Sequence, residues 1–275
     1  MTDFTLPFDL SDFRRLDEFA LLACQSYNLG DKNDWFGAFR GGLHGFYARI
    51  HGVVIHYLTV HAWIPAPRNP IETEYHLASM LFNMDSAIEC LTFAMNSLGY
   101  AALPCEFRDI SNERELKKIS PKDILGDPSA AKSRSVVPGY ALLFPTLQSF
   151  WQSNRKLLSI VVEQHDVSKH RETIYDGGMA RLDTPPGFYE QLGVGDDPAV
   201  RSMFWPMAEI ILRKDPKSVR AGRTPQEVAD FVLLETVASD YCQFVNNSGK
   251  CVLQDVFEHI KLAHSEFIRD VSDGH

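Results

Sequence analysis

The stretch Glu163–Glu172 holds more side chains able to do chemistry than any other part of this sequence. It contains two imidazoles, three carboxylates and two cations within ten residues. An imidazole has an unperturbed pKa of about 6.5, so a pair of histidines can accept and donate protons near neutral pH. We therefore take His165 and His170 as the candidate acid and base, with Asp166 as the carboxylate between them.

The same stretch also has a purely structural interpretation. A strongly apolar helix precedes it and can simply end here, with Asp166 or Ser168 capping the next segment. Lys169 and Arg171 would then lie in water. Whether the two imidazoles meet in one cleft separates the two interpretations.

The six residues His165–His170 resemble the R-[N/D/H]-x-x-x-H motif of the HEPN superfamily, a group of all-helical proteins that includes many metal-independent ribonucleases. Asp166 matches the polar position of the motif and His170 matches its histidine. The departure is at His165, which stands where the ribonucleases of that family have arginine. The resemblance implies a homodimer that pairs its two motifs on RNA.

The resemblance also implies a mechanism in which an RNA 2′-hydroxyl attacks the adjacent phosphate. His170 would handle the protons and Asp166 would orient it. Protonated His165, with Lys169 or Arg171, would replace the arginine against phosphate charge. An imidazolium lacks the permanent charge and the bidentate fork of a guanidinium, so we expect such an activity to fall above neutral pH.

A second basic segment, Arg213–Arg223, is the candidate surface for a nucleic-acid backbone. It holds five basic residues and one acidic residue on a chain of formal net charge −9. Clustered positive charge attracts phosphates, although flexible basic loops without such a role are also common. The candidate phosphate contacts are Lys169, Arg171, Arg213, Lys217, Arg220 and Arg223.

Carboxylates and histidines at helical spacing raise metal binding as an alternative chemistry. The Glu-x-x-His motifs of a di-iron bundle are absent, and carboxylate–histidine pairs are common on solvated helix faces. We expect no metal and no other cofactor. The sets weighed are Glu163/Asp166/His170, Asp255/His259 and Glu72/His76.

Two further polar patterns lie in the first half of the chain. His51, His56 and His61 recur every five residues, and a five-residue step turns about 140° around a helix, so these histidines are expected to be separate packing or interface residues. A second pattern is a polar stripe, which is typical of a solvated helix face and would indicate a satisfied network or a ligand cleft if it were buried. Its members are Asp85, Glu89, Thr92 and Asn96.

The composition limits the class of protein. With 45% apolar or aromatic residues and 23% charged residues in 275, the chain is too hydrophobic to be globally disordered. The excess of 36 acidic over 27 basic residues argues against a wholly basic nucleic-acid binder. The longest apolar stretch, Gly52–Ile64, is too short to span a bilayer, and no membrane association is expected. Five scattered cysteines without a C-x-x-C pair favour free thiols and a cytoplasmic location.

Apolar spacing and capping residues predict helices in most of the chain. We expect an all-α bundle of about five long helices in a single domain over 1–275, with a loop-rich insertion at 171–223 and a loop with a short helical piece at 112–134. The predicted helices cover 11–30, 34–64, 69–99, 146–163, 224–246 and 252–268.

Two functions remain open from the sequence. The first is a HEPN-like helical protein that binds or cleaves RNA without metal through His165, Asp166 and His170. The second is a non-catalytic protein-interaction module in which the histidine cluster is structural. Imidazoles that converge favour the first function, and imidazoles that diverge favour the second.

Overall fold

The computed structural model describes residues 7–27, 35–62, 70–126, 136–170 and 234–260. Within these ranges the chain forms helices and turns and no strand, which confirms the all-α prediction. The segment 171–223 lies outside them, so the predicted insertion and the single-domain assignment stay predictions. The helices are α1 (Ser11–Tyr27), α2 (Trp35–Ala62), α3 (Pro70–Ala102), α4 (Glu113–Leu116), α5 (Lys122–Leu125), α6 (Pro138–Leu143), α7 (Pro145–Ser153), α8 (Arg155–His170) and α9 (Leu234–Asp255), which runs into a π-helical turn, Val256–Ile260.

Helices α2 and α3 form a long antiparallel hairpin whose contact surface is lined by glycines. A Cβ atom at Gly42 would lie 2.8 Å from the backbone nitrogen of Ala94 and 2.9 Å from the carbonyl oxygen of Cys90. One at Gly45 would lie 3.0 Å from the Cys90 sulfur. Glycines lower the intrinsic helix propensity of α2. They also let the two backbones approach closely, and this packing stabilises α2 as a helix. The prediction of a helix over 34–64 is confirmed.

Helix α3 is the central element, because side chains on two adjacent faces of it, about 100° apart, are both buried. Met84, Leu91 and Met95 lie on its apolar stripe, and Thr92 and Asn96 on the polar stripe are equally inaccessible. The expectation of a solvated polar stripe is therefore wrong for these positions. The buried polar groups are bonded: Thr92 Oγ1 donates to the Ile88 carbonyl at 2.8 Å, and the Asn96 amide donates to the Arg108 carbonyl at 3.0 Å and accepts from its N–H at 3.2 Å.

Asn96 thereby anchors the connection that comes after α3, and Arg108 continues the network. The Arg108 guanidinium donates to both carboxylate oxygens of Asp123, each at 2.7 Å, and to Glu115 at 3.1 Å. Asp123 is fully buried, so the bidentate pair replaces the solvation that its carboxylate loses. This network holds α4 and α5, the short helical pieces expected in 112–134, against the bundle.

The prediction of one continuous helix over 146–163 is wrong in one respect. The chain forms two helices, α7 and α8, that meet at Asn154, whose backbone angles of φ −98° and ψ 15° are not helical. The Asn154 amide donates to the Phe150 carbonyl at 2.9 Å, and Arg155 donates to the Leu125 carbonyl. Asparagine competes in this way for backbone partners and interrupts helices. One face stays buried on both sides of the break; its members are Leu147, Trp151, Leu158, Val161 and His165.

The helix end expected at Asn246–Gly249 is also wrong. Helix α9 runs straight through these residues to Asp255, because groups far away in the chain bond to them or pack against them. Asn246 donates to the Pro7 carbonyl at 2.9 Å, and Ser248 accepts from the Trp151 indole at 3.0 Å. A Cβ atom at Gly249 would lie 2.9 Å from the Phe13 ring. The helices predicted over 224–246 and 252–268 are thus joined, and the number of five long helices is not confirmed.

Asp255, at the end of α9, caps a different helix. Its carboxylate accepts from the backbone N–H groups of Thr146 at 3.1 Å and Leu147 at 2.8 Å, in the first turn of α7. These N–H groups have no partner within their own helix, and the helix dipole favours an acceptor at this position. The side chain weighed as a metal ligand therefore joins α9 to α7.

We predict that Gly42→Ala lowers the free energy of unfolding by about 1–3 kcal/mol, because the added methyl group meets backbone atoms that cannot rotate away. Gly41→Ala is the matched control, since a Cβ atom there meets nothing within 4 Å. We expect it to stabilise the protein by about 0.5–1 kcal/mol through helix propensity. Urea denaturation of both variants measures the difference, and equal effects at the two positions would contradict the tight seam.

We predict that Asp255→Ala lowers the free energy of unfolding by about 1–3 kcal/mol, because two N–H groups of α7 lose their acceptor. Asp255→Asn should cost less. Its amide oxygen can still accept a bond, and burial already raises the pKa of Asp255, so the charge adds little. Thermal and urea denaturation of the two variants test this order; a loss as large with asparagine as with alanine would contradict it.

Candidate functional site

His165 lies on the buried face of α8 and is bonded to a carboxylate from α3. Its Nδ1 is 2.7 Å from Oδ2 of Asp85. The two side chains are 11% and 15% exposed, so they lie close to the surface without being free in water. A carboxylate on one ring nitrogen sets the tautomer and the orientation of the ring.

An aromatic ring and a cation complete this cluster. The Phe82 ring, one turn before Asp85 on α3, meets the His165 ring edge to face at 5.4 Å between centroids. The Arg49 guanidinium of α2 lies over the Phe82 ring, 5.0 Å from its centroid. Phe82 itself is 40% exposed. Three helices thus bring together an imidazole, a carboxylate, an exposed aromatic ring and a guanidinium, which we call the α3–α8 cluster (Arg49, Phe82, Asp85 and His165).

Sequence reasoning placed His165 at the centre but did not find its partners. Asp85 belongs only to the predicted polar stripe, and Arg49 belongs to no predicted site. Eighty residues separate Asp85 from His165, so no local pattern joins them. The signal that points to Asp85 is the burial of the polar stripe, and that burial is known only from the packing of α8 against α3.

The predicted partners of His165 within the motif lie on the same helix. Helix α8 continues through position 170, and five residues at about 100° each place positions 165 and 170 about 140° apart around its axis. The side chains of Asp166, Lys169 and His170 lie outside the described residues, as do Arg171, Arg213, Lys217, Arg220 and Arg223 in full. The assignment of these residues to a shared site stays a prediction.

A second pair of histidines joins α2 and α3 near the ends that lead into their connection. Nδ1 of His56 and Nδ1 of His76 are 2.9 Å apart, and both rings are partly buried. The Tyr75 ring meets His56 and His76 edge to face, at 6.2 Å and 5.2 Å between centroids. Burial, and to a smaller degree the charge of His76, lowers the pKa of His56. His56 was expected to be a packing histidine, and it packs against another histidine.

The sets weighed for a metal do not assemble into a larger centre. Across the described ranges, no three or more His, Cys, Asp and Glu side chains come close enough to hold an ion together. The Asp255 carboxylate is occupied by the α7 backbone. Cys90 and Cys242 are unsuited to nucleophilic chemistry, because burial raises the pKa of both thiols, that of Cys242 to about 12.

The chain matches no protein-family model, no curated protein and no solved structure. The HEPN resemblance therefore rests on the residues of the motif alone. Among the helices described, none has both the length and the apolar character needed to cross a membrane.

We predict that acid destabilises the α2–α3 hairpin through His56. The folded-state pKa of His56 lies below its ordinary value of 6.5, so its contribution to stability is complete above that value and is lost as the pH falls through the folded-state pKa. The drop in unfolding free energy between pH 7.5 and pH 5.5 should be smaller in His56→Gln than in the wild type. His51→Gln, at an exposed position of the same helix, is the control, and identical pH slopes in all three proteins would contradict the prediction.

Proposed function

We propose that this chain binds single-stranded RNA and cleaves it without metal, with His165 as the acid–base group. The observation that carries the proposal is the 2.7 Å hydrogen bond between Nδ1 of His165 and Asp85. With Nδ1 committed to the carboxylate, Nε2 is the nitrogen that exchanges protons with a substrate. In this proposal the carboxylate that orients the base comes from α3 rather than from Asp166.

The remaining members of the α3–α8 cluster suit an RNA strand. An exposed aromatic ring offers a face on which an unstacked base can lie, and a guanidinium can contact phosphate oxygens in a bidentate way. Phe82 and Arg49 are the side chains that supply these groups. Arg49 also compensates for the departure from the HEPN motif. It supplies from α2 the guanidinium that this chain lacks at position 165.

The proposed reaction is an internal transesterification. Nε2 of His165 accepts the proton of the 2′-hydroxyl, the 2′-oxygen bonds to phosphorus, and the bond from phosphorus to the 5′-oxygen breaks. The 5′-oxygen takes the proton back from the imidazolium. The products are a 2′,3′-cyclic phosphate and a 5′-hydroxyl end, so atoms and protons balance without a cofactor.

The proposal also includes a cytoplasmic location and a homodimer. All five cysteines are free thiols, which fits a cytoplasmic location. A homodimer would bring His170 and the basic segment Arg213–Arg223 of a second copy to the RNA bound at the first. Light scattering on the purified protein tests this part, and a monomer at micromolar concentration contradicts it.

A non-catalytic interaction module is the second candidate, and a specific observation favours it. The side chain of His165 is only 11% exposed, and its contacts to Asp85 and Phe82 are those of a side chain that fastens α8 to α3. Positions 165 and 170 also lie about 140° apart around the axis of α8. Val162, three residues before His165, and Phe82 would then form part of an apolar docking surface, with exposed fractions of 37% and 40%.

We predict that labelled single-stranded RNA incubated with the protein in EDTA is cleaved to cyclic-phosphate products, and that His165→Ala lowers the rate by about 10²–10⁴-fold. Asp85→Asn should lower it by at least about tenfold, because the carboxylate no longer orients the ring. His51→Ala is the control. Its side chain is exposed on α2, and its activity should equal that of the wild type.

The outcome for RNA and the outcome for stability together separate the two candidates. An RNA with a 2′-deoxy residue at the cleaved position must stay intact if the reaction is as written. If the wild type leaves RNA unbound and uncleaved, while Asp85→Asn and His165→Gln each lower the unfolding free energy by about 1–3 kcal/mol, the cluster is structural and the module is the correct function. Cleavage that depends on His170 but not on His165 would contradict the roles assigned here.

A further inference from the structure

Two exposed aromatic rings lie on the same face of α3. Tyr75 and Phe82 are seven residues apart on this helix, which is within about 20° of two full turns. Their side chains therefore leave the same face about 10.5 Å apart along the axis. Tyr75 is 63% exposed and Phe82 is 40% exposed. Phe82 belongs to the α3–α8 cluster, and Tyr75 lies outside it, towards the connection between α2 and α3.

Small residues line the surface between these two rings. Ala78 and Ser79 lie between them on α3. The neighbouring part of α2 carries Gly52, where a Cβ atom would lie 2.6 Å from Oδ1 of Asn83. On this face of α3, therefore, no bulky side chain stands between the two rings, and an extended polymer can pass from one to the other.

The Tyr75 ring is held in place by the histidine pair beside it. The His56 and His76 rings meet it at 6.2 Å and 5.2 Å between centroids, at interplanar angles of 81° and 77°. The two histidines are fixed in turn by their own 2.9 Å hydrogen bond. A ring that its neighbours already hold loses little side-chain freedom when a ligand stacks on it, so it is a preorganised platform.

The charges of the same part of the hairpin suit an anionic strand. Residues 49–56 of α2 and 75–82 of α3 contain no acidic residue, on a chain of formal net charge −9. They contribute one guanidinium, that of Arg49, and three imidazoles: His51, His56 and His76. The first carboxylate beyond Tyr75 with a described side chain is that of Glu72, which is exposed. A phosphate placed there would be repelled, so the favourable surface ends near Tyr75.

We propose that Tyr75 is a second base-stacking platform, so that a single RNA strand runs from the α3–α8 cluster along the hairpin to Tyr75. This inference rests on the proposed function, because Phe82 is the first platform. Aromatic rings stack on unpaired bases with little regard to sequence. Successive bases of a stacked strand rise by about 3.4 Å, so rings about 10.5 Å apart hold bases no more than about three nucleotides apart.

The experiment measures the fluorescence anisotropy of labelled oligouridylates of two and eight nucleotides, in EDTA, with the full-length chain. A His165→Ala background leaves the RNA uncleaved. Tyr75→Ala should weaken binding of the octamer about tenfold, because one stacked base is lost. It should leave binding of the dinucleotide unchanged, because two nucleotides do not span the cluster and Tyr75. Phe82→Ala should weaken binding of both.

Two further variants show whether the aromatic ring itself is responsible. Tyr75→Phe keeps the ring and should bind the octamer as the parent does. Leu142→Ala is the matched control, because it removes an apolar side chain that is 53% exposed on α6, and its octamer affinity should not change. An octamer affinity that Tyr75→Ala leaves intact, or that Tyr75→Phe lowers as much as Tyr75→Ala, overturns the platform while the proposed function stands.

Failure of the proposed function has a different signature, which is that the chain with Tyr75 intact binds neither oligonucleotide; that result overturns both proposals. Should Tyr75→Ala fold poorly, Tyr75→Trp decides. The octamer should quench the added indole fluorescence, measured against the parent chain, and the dinucleotide should not. Absence of that quenching at an octamer concentration that saturates the anisotropy overturns the platform.

Discussion

The close approach of α2 and α3 is the constraint on which the rest of the structure depends. A backbone nitrogen and a carbonyl oxygen of α3 lie where a side chain at Gly42 would begin, so only hydrogen atoms separate the helices there. At this contact the two backbones touch directly, with no side chain between them. The close packing fixes the register of α2 relative to α3. The His56–His76 pair and the Arg49–Phe82 contact both depend on that register, because each joins a residue of α2 to a residue of α3.

Burial of α3 on two sides explains why several of its polar residues form bonds rather than face water. With α2 on one side and α8 and the segment around Arg108 on the other, a polar side chain on α3 must be satisfied within the protein. Asn96 meets the Arg108 backbone, and Asp85 meets His165. The latter bond fastens α8 to α3 whichever of the two proposed functions is correct, since orienting an imidazole and holding a helix in place require the same carboxylate.

The two wrong helix boundaries have opposite causes, because distant partners override the local chemistry in α9, whereas local chemistry separates α7 from α8. Asn246 and Ser248 resemble residues that end a helix, yet α9 continues because Pro7 and Trp151 bond to them. The reverse happens at Asn154, where no proline or glycine predicts a break and the amide bonds to the preceding turn instead. The Asp255 carboxylate matched a metal pair by spacing and instead caps α7, which begins more than a hundred residues earlier.

The sequence by itself determined that the described part of this protein is helical and where most of those helices lie, because these properties depend on apolar spacing and capping within a few turns of chain. It also identified His165 as a candidate site residue. Only the tertiary structure decided that Asp85, Phe82 and Arg49 surround this histidine, that the glycines of α2 are a contact surface, and that His56 meets His76. Those pairings join residues from different helices, and no local pattern records a contact that long-range packing alone creates.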